Sequence, residues 1–417
     1  MRKILTAFLF SAVAVSAFAD DAEGTKTNVN LSVSGTGYIT GYKSVIKDED
    51  GEYAAFRMRP KIDYSRGDIE ATLKLEYDAT FGADAADEKS SENVGIGADK
   101  KSVEVAQAFA KVKISAVPGL SVLAGINEID FPIVLGDNMP MFCLGYEKEN
   151  LALSLYYMKT YEGVNNDGDD SQIYAADLSL KFGDNVIRPA LFAFQCEENS
   201  NVGQYKDSTG VMPALSVSFA MGSFGIDLSG AYANGKDKVN DIKYQAYAFD
   251  VAPYFSLSET FKLTGFCSVL SGDDPDTADK NESFLYSAID GTGSGINLWR
   301  LYIIEDGGSF TTNSDVAGSG KYDSACGYMA AGASIEASFG SFSALFTAAY
   351  IRALQTAPGV KKDMGIEFDA NIGYEVTSGA TLYAEGAFLK TGKFYENGGS
   401  QEIQNSSYVN FGLNYEL

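Results

Sequence analysis

Apolar and polar residues alternate along much of this chain with a period of two. In residues 67–81 (GDIEATLKLEYDATF), every second position from Ile69 to Ala79 is apolar, and the positions between them carry four charges. This period predicts a β-strand that separates an apolar from a polar environment. The same pattern recurs along the chain, for example in residues 224–235, 261–272 and 363–377. We predict about eighteen strands, with sixteen as the alternative, and many exceed the usual five or six residues.

The segments between the predicted strands alternate between short and long. The short ones are tight turns rich in Gly, Asn, Asp and Ser, at Ser65, Val117, Lys148, Gly183, Gly222, Ser258, Gly340 and Ser378. The long ones are polar and mostly acidic, such as KDEDGE and EGVNNDGDD. Two-residue and three-residue turns at one end and long loops at the other are typical of a transmembrane antiparallel β-barrel, with short periplasmic turns and long extracellular loops.

The N-terminal residues have the features of an export signal. Arg2 and Lys3 precede an apolar run, and a small-residue site ends at Ala19. We therefore expect residues 1–19 to be a cleaved signal peptide and residues 20–417 to form one barrel domain. After the signal, no run of apolar residues approaches the eighteen or so of a helical span, which leaves a soluble protein or a membrane β-barrel.

The last strand predicted from the sequence runs to the final residue, with apolar side chains at Val409, Phe411, Leu413, Tyr415 and Leu417. An antiparallel barrel has no free edge only if its last strand pairs with its first, so we expect this strand to close the barrel.

With its signal peptide, closing strand and loop asymmetry, the chain resembles bacterial outer-membrane porins. Residues 108–133 are similar to a hairpin of substrate-selective porins, in which the following loop often folds towards the lumen; residues 128–140 occupy that place here. The alternating C-terminus resembles the assembly signal of outer-membrane barrels, although Leu417 stands where an aromatic residue is typical. The resemblance implies outer-membrane lipid, the barrel-assembly machinery and small hydrophilic solutes as partners, and a homotrimer as one possible state.

The polar face of the strands is where a pore would take its selectivity. Basic residues at two-residue spacing point the same way on one strand, and acidic residues follow on the next. The pore-lining candidates are Arg57, Arg59, Lys61, Glu70, Lys74, Glu76, Asp78, Lys111 and Lys113. They are either a selectivity element that passes anionic or zwitterionic solutes, or charges that merely keep the lumen hydrated.

Two other features leave alternatives open. The longest connection, about 272–322, contains Trp299 and Arg300 and is either a constriction of the pore or a surface hairpin. Long acidic loops also suit a surface adhesin or antigen anchored by its barrel. A transporter of hydrophobic compounds similar to the fatty-acid transporter family is disfavoured, because that family has an N-terminal plug.

Aromatic residues near the ends of the predicted strands are expected to form the two interfacial girdles of a barrel. They are Tyr38, Tyr42, Tyr77, Phe81, Tyr156, Tyr161 and Tyr232.

Composition argues against most chemistry. The chain has no histidine, which excludes histidine-dependent triads and nearly all catalytic zinc sites. Four scattered cysteines without a CxxC motif form neither a disulfide framework nor a redox motif. The net charge is −24, and −26 without Arg2 and Lys3, so we expect no nucleic acid partner. We expect no enzyme activity and no cofactor.

Overall fold

The computed structural model describes residues 27–47, 50–81, 100–161, 171–196, 207–284, 300–304, 326–396 and 402–417. They form eighteen long strands and one strand of two residues. The strands are β1 Thr27–Lys43, β2 Gly51–Arg66, β3 Ile69–Phe81, β4 Lys100–Lys113, β5 Leu120–Phe131, β6 Leu135–Lys148, β7 Leu151–Tyr161, β8 Ser171–Phe182, β9 Asn185–Cys196, β10 Ser208–Met221, β11 Phe224–Asp237, β12 Ile242–Ser256, β13 Phe261–Leu270, β14 Lys280–Asn281, β15 Tyr328–Phe339, β16 Phe342–Ala353, β17 Asp363–Thr377, β18 Ala380–Thr391 and β19 Ser406–Glu416. In these ranges no helix has the length and apolarity needed to cross a membrane.

The eighteen long strands form one closed antiparallel sheet. Each pairs with its neighbours in sequence, and β1 pairs with both β2 and β19, so the ladder returns to its start. Leu417 extends the closing ladder through two backbone hydrogen bonds with Val33, of 2.9 and 3.0 Å. The predicted all-β class, the count of eighteen and the pairing of the last strand with the first are all confirmed. The short β14 lies outside the barrel ladder and runs parallel to the start of β12.

The two ends of the barrel differ in their connections, as the sequence predicts. At one end, eight connections of two to six residues join β2–β3, β4–β5, β6–β7, β8–β9, β10–β11, β12–β13, β15–β16 and β17–β18. We call this the turn end and the opposite one the loop end. Two connections at the loop end are also short: residues 132–134 join β5 and β6, and residues 238–241 join β11 and β12. The longer loop expected within residues 128–140 is therefore mostly strand.

The outer face of the barrel is an apolar band bounded by aromatic rings. Exposed tyrosine and phenylalanine side chains stand eight residues apart on four strands, as the pairs Tyr174 and Phe182, Phe224 and Tyr232, Tyr247 and Phe255, and Phe342 and Tyr350. Eight residues span about 27 Å along a strand, or about 20 Å along the axis at a tilt of about 40°. This is close to the roughly 25 Å apolar band of outer-membrane barrels.

Only part of the predicted girdle is correct. Tyr232 is exposed on the outer face, and Tyr77 shares the outer face with its ladder partner Val103. Tyr38, Tyr42 and Tyr156 instead point inwards, because large apolar side chains fill the interior towards the loop end. The side chains of Phe81 and Tyr161 lie outside the described part of the chain.

The buried core of the protein lies inside the barrel. It joins inward side chains of many strands with apolar residues of four connecting segments, centred on Val45, Ile133, Leu301 and Tyr395. Many wall residues of this core are alanines, including those at 246, 248, 330, 349 and 353. A wall of small side chains leaves room inside a closed sheet, and the connecting segments occupy it.

Candidate functional site: the barrel interior

The register of β2, β3 and β4 places all nine predicted pore-lining residues on the same face. Directly opposed residues of an antiparallel ladder share a face. The ladder pairs Arg57 with Asp78 and Lys61 with Lys74, and it pairs Glu70 with Lys111. The remaining three candidates, Arg59, Glu76 and Lys113, follow at two-residue spacing along the same strands. This face is opposite to the exposed apolar residues of the outer band and turns towards the interior.

Arginines and carboxylates form a compact cluster on this face. The Arg57 guanidinium donates to both oxygens of Asp78, from Nε at 2.7 Å and from Nη2 at 2.9 Å, and Nη2 also lies 3.0 Å from Glu76. Arg59 donates to the other Glu76 oxygen. A register shift between Lys74 and Leu75 sets Glu76 directly opposite Glu104. The basic residues of β2 are therefore neutralised locally rather than free to act as an anion ladder.

Lysines extend this network along the wall. Lys61 lies 3.0 Å from Asp63, and Lys113 lies 2.5 Å from Glu70. Carboxylate oxygens of Glu76, Asp78 and Glu104 lie within 4.8 Å of one another, a spacing that a cation could bridge. Because the two arginines already neutralise the first two carboxylates, we assign no metal to this group.

A second part of the inner face, on β12, β17 and β18, carries buried carboxylates that the sequence analysis did not single out; we call it the acidic wall. Asp250 on β12, Glu367 and Asp369 on β17, and Glu385 on β18 all face inwards and are at most 4% exposed. Amide groups hold Glu385, since Asn371 donates to it at 3.2 Å and Asn410 at 3.1 Å. For β17 the sequence pattern did indicate these inward side chains, because Glu367, Asp369 and Asn371 occupy the polar positions of the alternating pattern in residues 363–377.

A third charged group lies between the two walls. Arg188 on β9 binds Asp177 on β8 through contacts of 2.6 to 3.0 Å, and its guanidinium lies 4.7 Å from the centre of the Phe131 ring. Phe131 also contacts Phe192 edge to face, at 5.5 Å between ring centres. This group fixes the hairpin tip at residues 132–134 against the inner wall, where Ile133 is fully buried with a positive φ of 71°.

Residues 300–304 lie inside the barrel, and they belong to the connection between β13 and β15. Arg300 forms an ion pair with Asp250 and lies 5.5 Å from the centre of the Phe266 ring. Tyr302 stacks on Tyr408 of β19 with ring centres 6.4 Å apart. The segment thus contacts β12, β13 and β19 from within, which favours the constriction over the surface hairpin for this part of the loop. Trp299 lies outside the described residues.

The environment of Tyr302 is apolar and acidic. Burial raises the pKa of the Tyr302 hydroxyl above its ordinary value, and the nearby Glu385 and Asp369 raise that pKa further. The hydroxyl therefore stays protonated at physiological pH and is a hydrogen-bond donor next to the acidic wall.

The five predicted assembly-signal residues lie along β19 and its end. Val409, Phe411, Leu413 and Leu417 are exposed on the outer side, and Tyr415 is half-buried. Their role in assembly stays a prediction.

Fold and interior together define a closed eighteen-stranded barrel, apolar outside and charged inside, whose lumen is narrowed by inward segments. Known structures of this class share the fold. No family model and no curated protein sequence matches the chain. OccK5 (OpdH) of Pseudomonas aeruginosa aligns with a TM-score of 0.59 at 11% identity, over 94% of this chain and 98% of that one. OccAB1 of Acinetobacter baumannii aligns with a TM-score of 0.62 at 12% identity, over 96% and 99%. These structural neighbours are outer-membrane porins. At such identities the likeness shows a shared fold.

Proposed function

We propose that this chain is an outer-membrane porin through which small hydrophilic solutes or ions diffuse passively. The observation that carries the proposal is the division of the closed barrel into two faces. An apolar band of membrane height surrounds it, and charged side chains from β2–β4, β8–β9, β12 and β17–β18 turn inwards. A soluble barrel has no need of such an exposed apolar band, whereas lipid requires it.

The charged inner face supplies the selectivity of this pore. One part of the inner face carries Arg57, Arg59, Lys61, Glu70, Lys74, Glu76, Asp78, Lys111 and Lys113, and the acidic wall of β12, β17 and β18 carries the buried carboxylates. The arginines of β2 are paired with carboxylates, two neutral amides donate to Glu385, and the whole chain has a net charge of −24, so we take the acidic side chains to set the sign of the field in the lumen. We expect a preference for cations.

The remaining parts of the proposal follow from this role. Residues 1–19 direct export and are removed, and residues 20–417 form the single barrel domain with its long insertion. The last strand, with Val409, Phe411, Leu413, Tyr415 and Leu417, is read by the barrel-assembly machinery. The mature chain sits in outer-membrane lipid, acts without a cofactor and catalyses no reaction. A homotrimer is compatible with this function and is tested by crosslinking in the membrane.

Planar-bilayer recording tests the function. The mature chain is refolded in detergent and added to a bilayer, and the current steps and the reversal potential are measured under a salt gradient. Uniform steps with a cation-selective reversal potential are expected. A barrel that inserts fully but never conducts refutes the porin function and favours an anchored adhesin or antigen.

A further inference from the structure

Residues 300–304 are buried more deeply than a surface loop requires. Leu301 and Ile303 are fully buried, and Tyr302 and Ile304 are at most 5% exposed. Their side chains belong to the same buried cluster as the inward alanines of β12, β15 and β16. The wall is thus shaped to accept this segment, which we call the strap.

A carboxylate of the wall holds the middle of the strap by its backbone. The two oxygens of Glu367 accept the backbone N–H groups of Ile303, at 2.5 Å, and Ile304, at 3.3 Å. Glu367 is itself fully buried. An ionised carboxylate in such a buried place needs these hydrogen-bond donors. The two N–H groups of the strap in turn need an acceptor, because they do not bond to the backbone of a strand.

A second carboxylate holds the start of the strap by its side chain. Arg300 binds one oxygen of Asp250, while the other oxygen accepts the Ser268 hydroxyl at 2.7 Å. Asp250 lies on β12 and Glu367 on β17, so the two attachment points are separated by β13, β15 and β16 around the wall. The strap therefore crosses this side of the lumen instead of following one strand.

Both attachments are of a kind that water can replace. If the strap leaves the wall, the carboxylates, the guanidinium and the two N–H groups become hydrated by the lumen, so only the net strength of each charge-assisted bond is lost. We propose that the strap is a displaceable constriction, latched by Glu367 and Asp250, and that breaking either latch widens the pore. The pore-widening part rests on the porin function; the latch itself does not.

The latch is tested by thiol accessibility, which needs no conductance. In a chain whose four cysteines are replaced by serine, Ile303→Cys places one thiol in the strap. Labelling by a small, water-soluble maleimide is timed in the refolded barrel, alone and combined with Glu367→Gln or Asp250→Asn. The matched control is Asp177→Asn, which also removes an inward, arginine-bound carboxylate but touches no part of the strap. Heat-modifiable gel mobility verifies that each barrel is folded.

We expect about tenfold faster labelling in the Glu367→Gln and Asp250→Asn backgrounds, the size expected from losing one charge-assisted bond, and the parent rate with Asp177→Asn. Current steps recorded from the same two substitutions without the reporter thiol should be larger than those of the parent. Equal labelling rates in all folded variants would overturn the latch. Faster labelling in barrels that never conduct would support the latch and overturn the porin function.

Discussion

The apolar band makes a sharp prediction at Phe346. This residue lies on β16 four positions from each of the two girdle residues of its strand, Phe342 and Tyr350, and all three are exposed on the outer face. Four residues correspond to about 10 Å along the axis, which puts Phe346 near the membrane midplane. Arginine on the lipid face of a barrel costs about 2–4 kcal/mol at the midplane and about 0–1 kcal/mol near the interface.

The control for Phe346→Arg is Phe342→Arg on the same strand. The two phenylalanines are similarly exposed, at 51% and 55%. Phe342 additionally loses a ring contact with Tyr374, at 4.6 Å between ring centres, which works against the expected difference and makes the comparison conservative. Phe346→Arg should therefore lower the free energy of unfolding by about 2–4 kcal/mol more than Phe342→Arg does.

The measurement is urea unfolding of both variants in phosphatidylcholine vesicles, monitored by circular dichroism or by gel mobility. In a water-exposed barrel, either surface arginine would change stability by less than about 0.5 kcal/mol. Equal and small effects of the two substitutions would therefore refute the assignment of this face to lipid.

Three further predictions concern the interior and the backbone. Arg57→Ala removes a positive charge and should move the reversal potential towards stronger cation preference. Arg57→Lys keeps the charge and should leave the reversal potential unchanged, at a cost of about 1 kcal/mol of stability through the lost bidentate geometry. The same shift in reversal potential for both variants would contradict this prediction. Gly365→Ala should destabilise the barrel by more than about 2 kcal/mol, because φ is 124° and a Cβ would lie 2.1 Å from a carbonyl oxygen of β18. The control Gly183→Ala lies in an open turn and should cost about 1 kcal/mol in the same unfolding assay. Arg188→Met should cost about 2 kcal/mol by stranding the carboxylate of Asp177, and adding Asp177→Asn should restore most of the loss in a double-mutant cycle; additive losses would exclude the coupling.

The wall of the barrel was predictable because its information is local. A period of two over residues 69–79 determines which face is apolar, whatever the rest of the chain does. Turns such as the one at Gly183, where φ is 61°, are marked by the residue types that a tight connection needs. Strand number, turn positions and closure follow from repeating these two signals along the chain.

Contacts across the interior were not predictable, because they depend on register and on distant segments. The pairing of Glu76 with Glu104 arises from a register shift between β3 and β4, where Ala106 of β4 has no ladder partner and the apolar positions of β4 change phase, a signal that was not used. Arg300 and Asp250 are fifty residues apart and meet only because the loop folds back inside. The inward orientation of Tyr38 and Tyr42 was missed for a related reason: near the loop end both faces of a strand are apolar, so alternation no longer identifies the lipid side.

The inner face of the barrel changes in character from the turn end to the loop end. Towards the turn end the inner face carries hydrated charges, among them Lys113 and Glu70, which suit a water-filled vestibule. Towards the loop end it carries alanines and buried carboxylates, and connecting segments take the place of water. A segment held by side-chain contacts can leave the wall without breaking the backbone ladder, so under the proposed function selectivity would reside in the inward segments while stability resides in the wall. If the chain conducts as proposed, we expect the charges that hold the inward segments, Asp250 and Glu367, to affect permeation as well as those that face the open lumen.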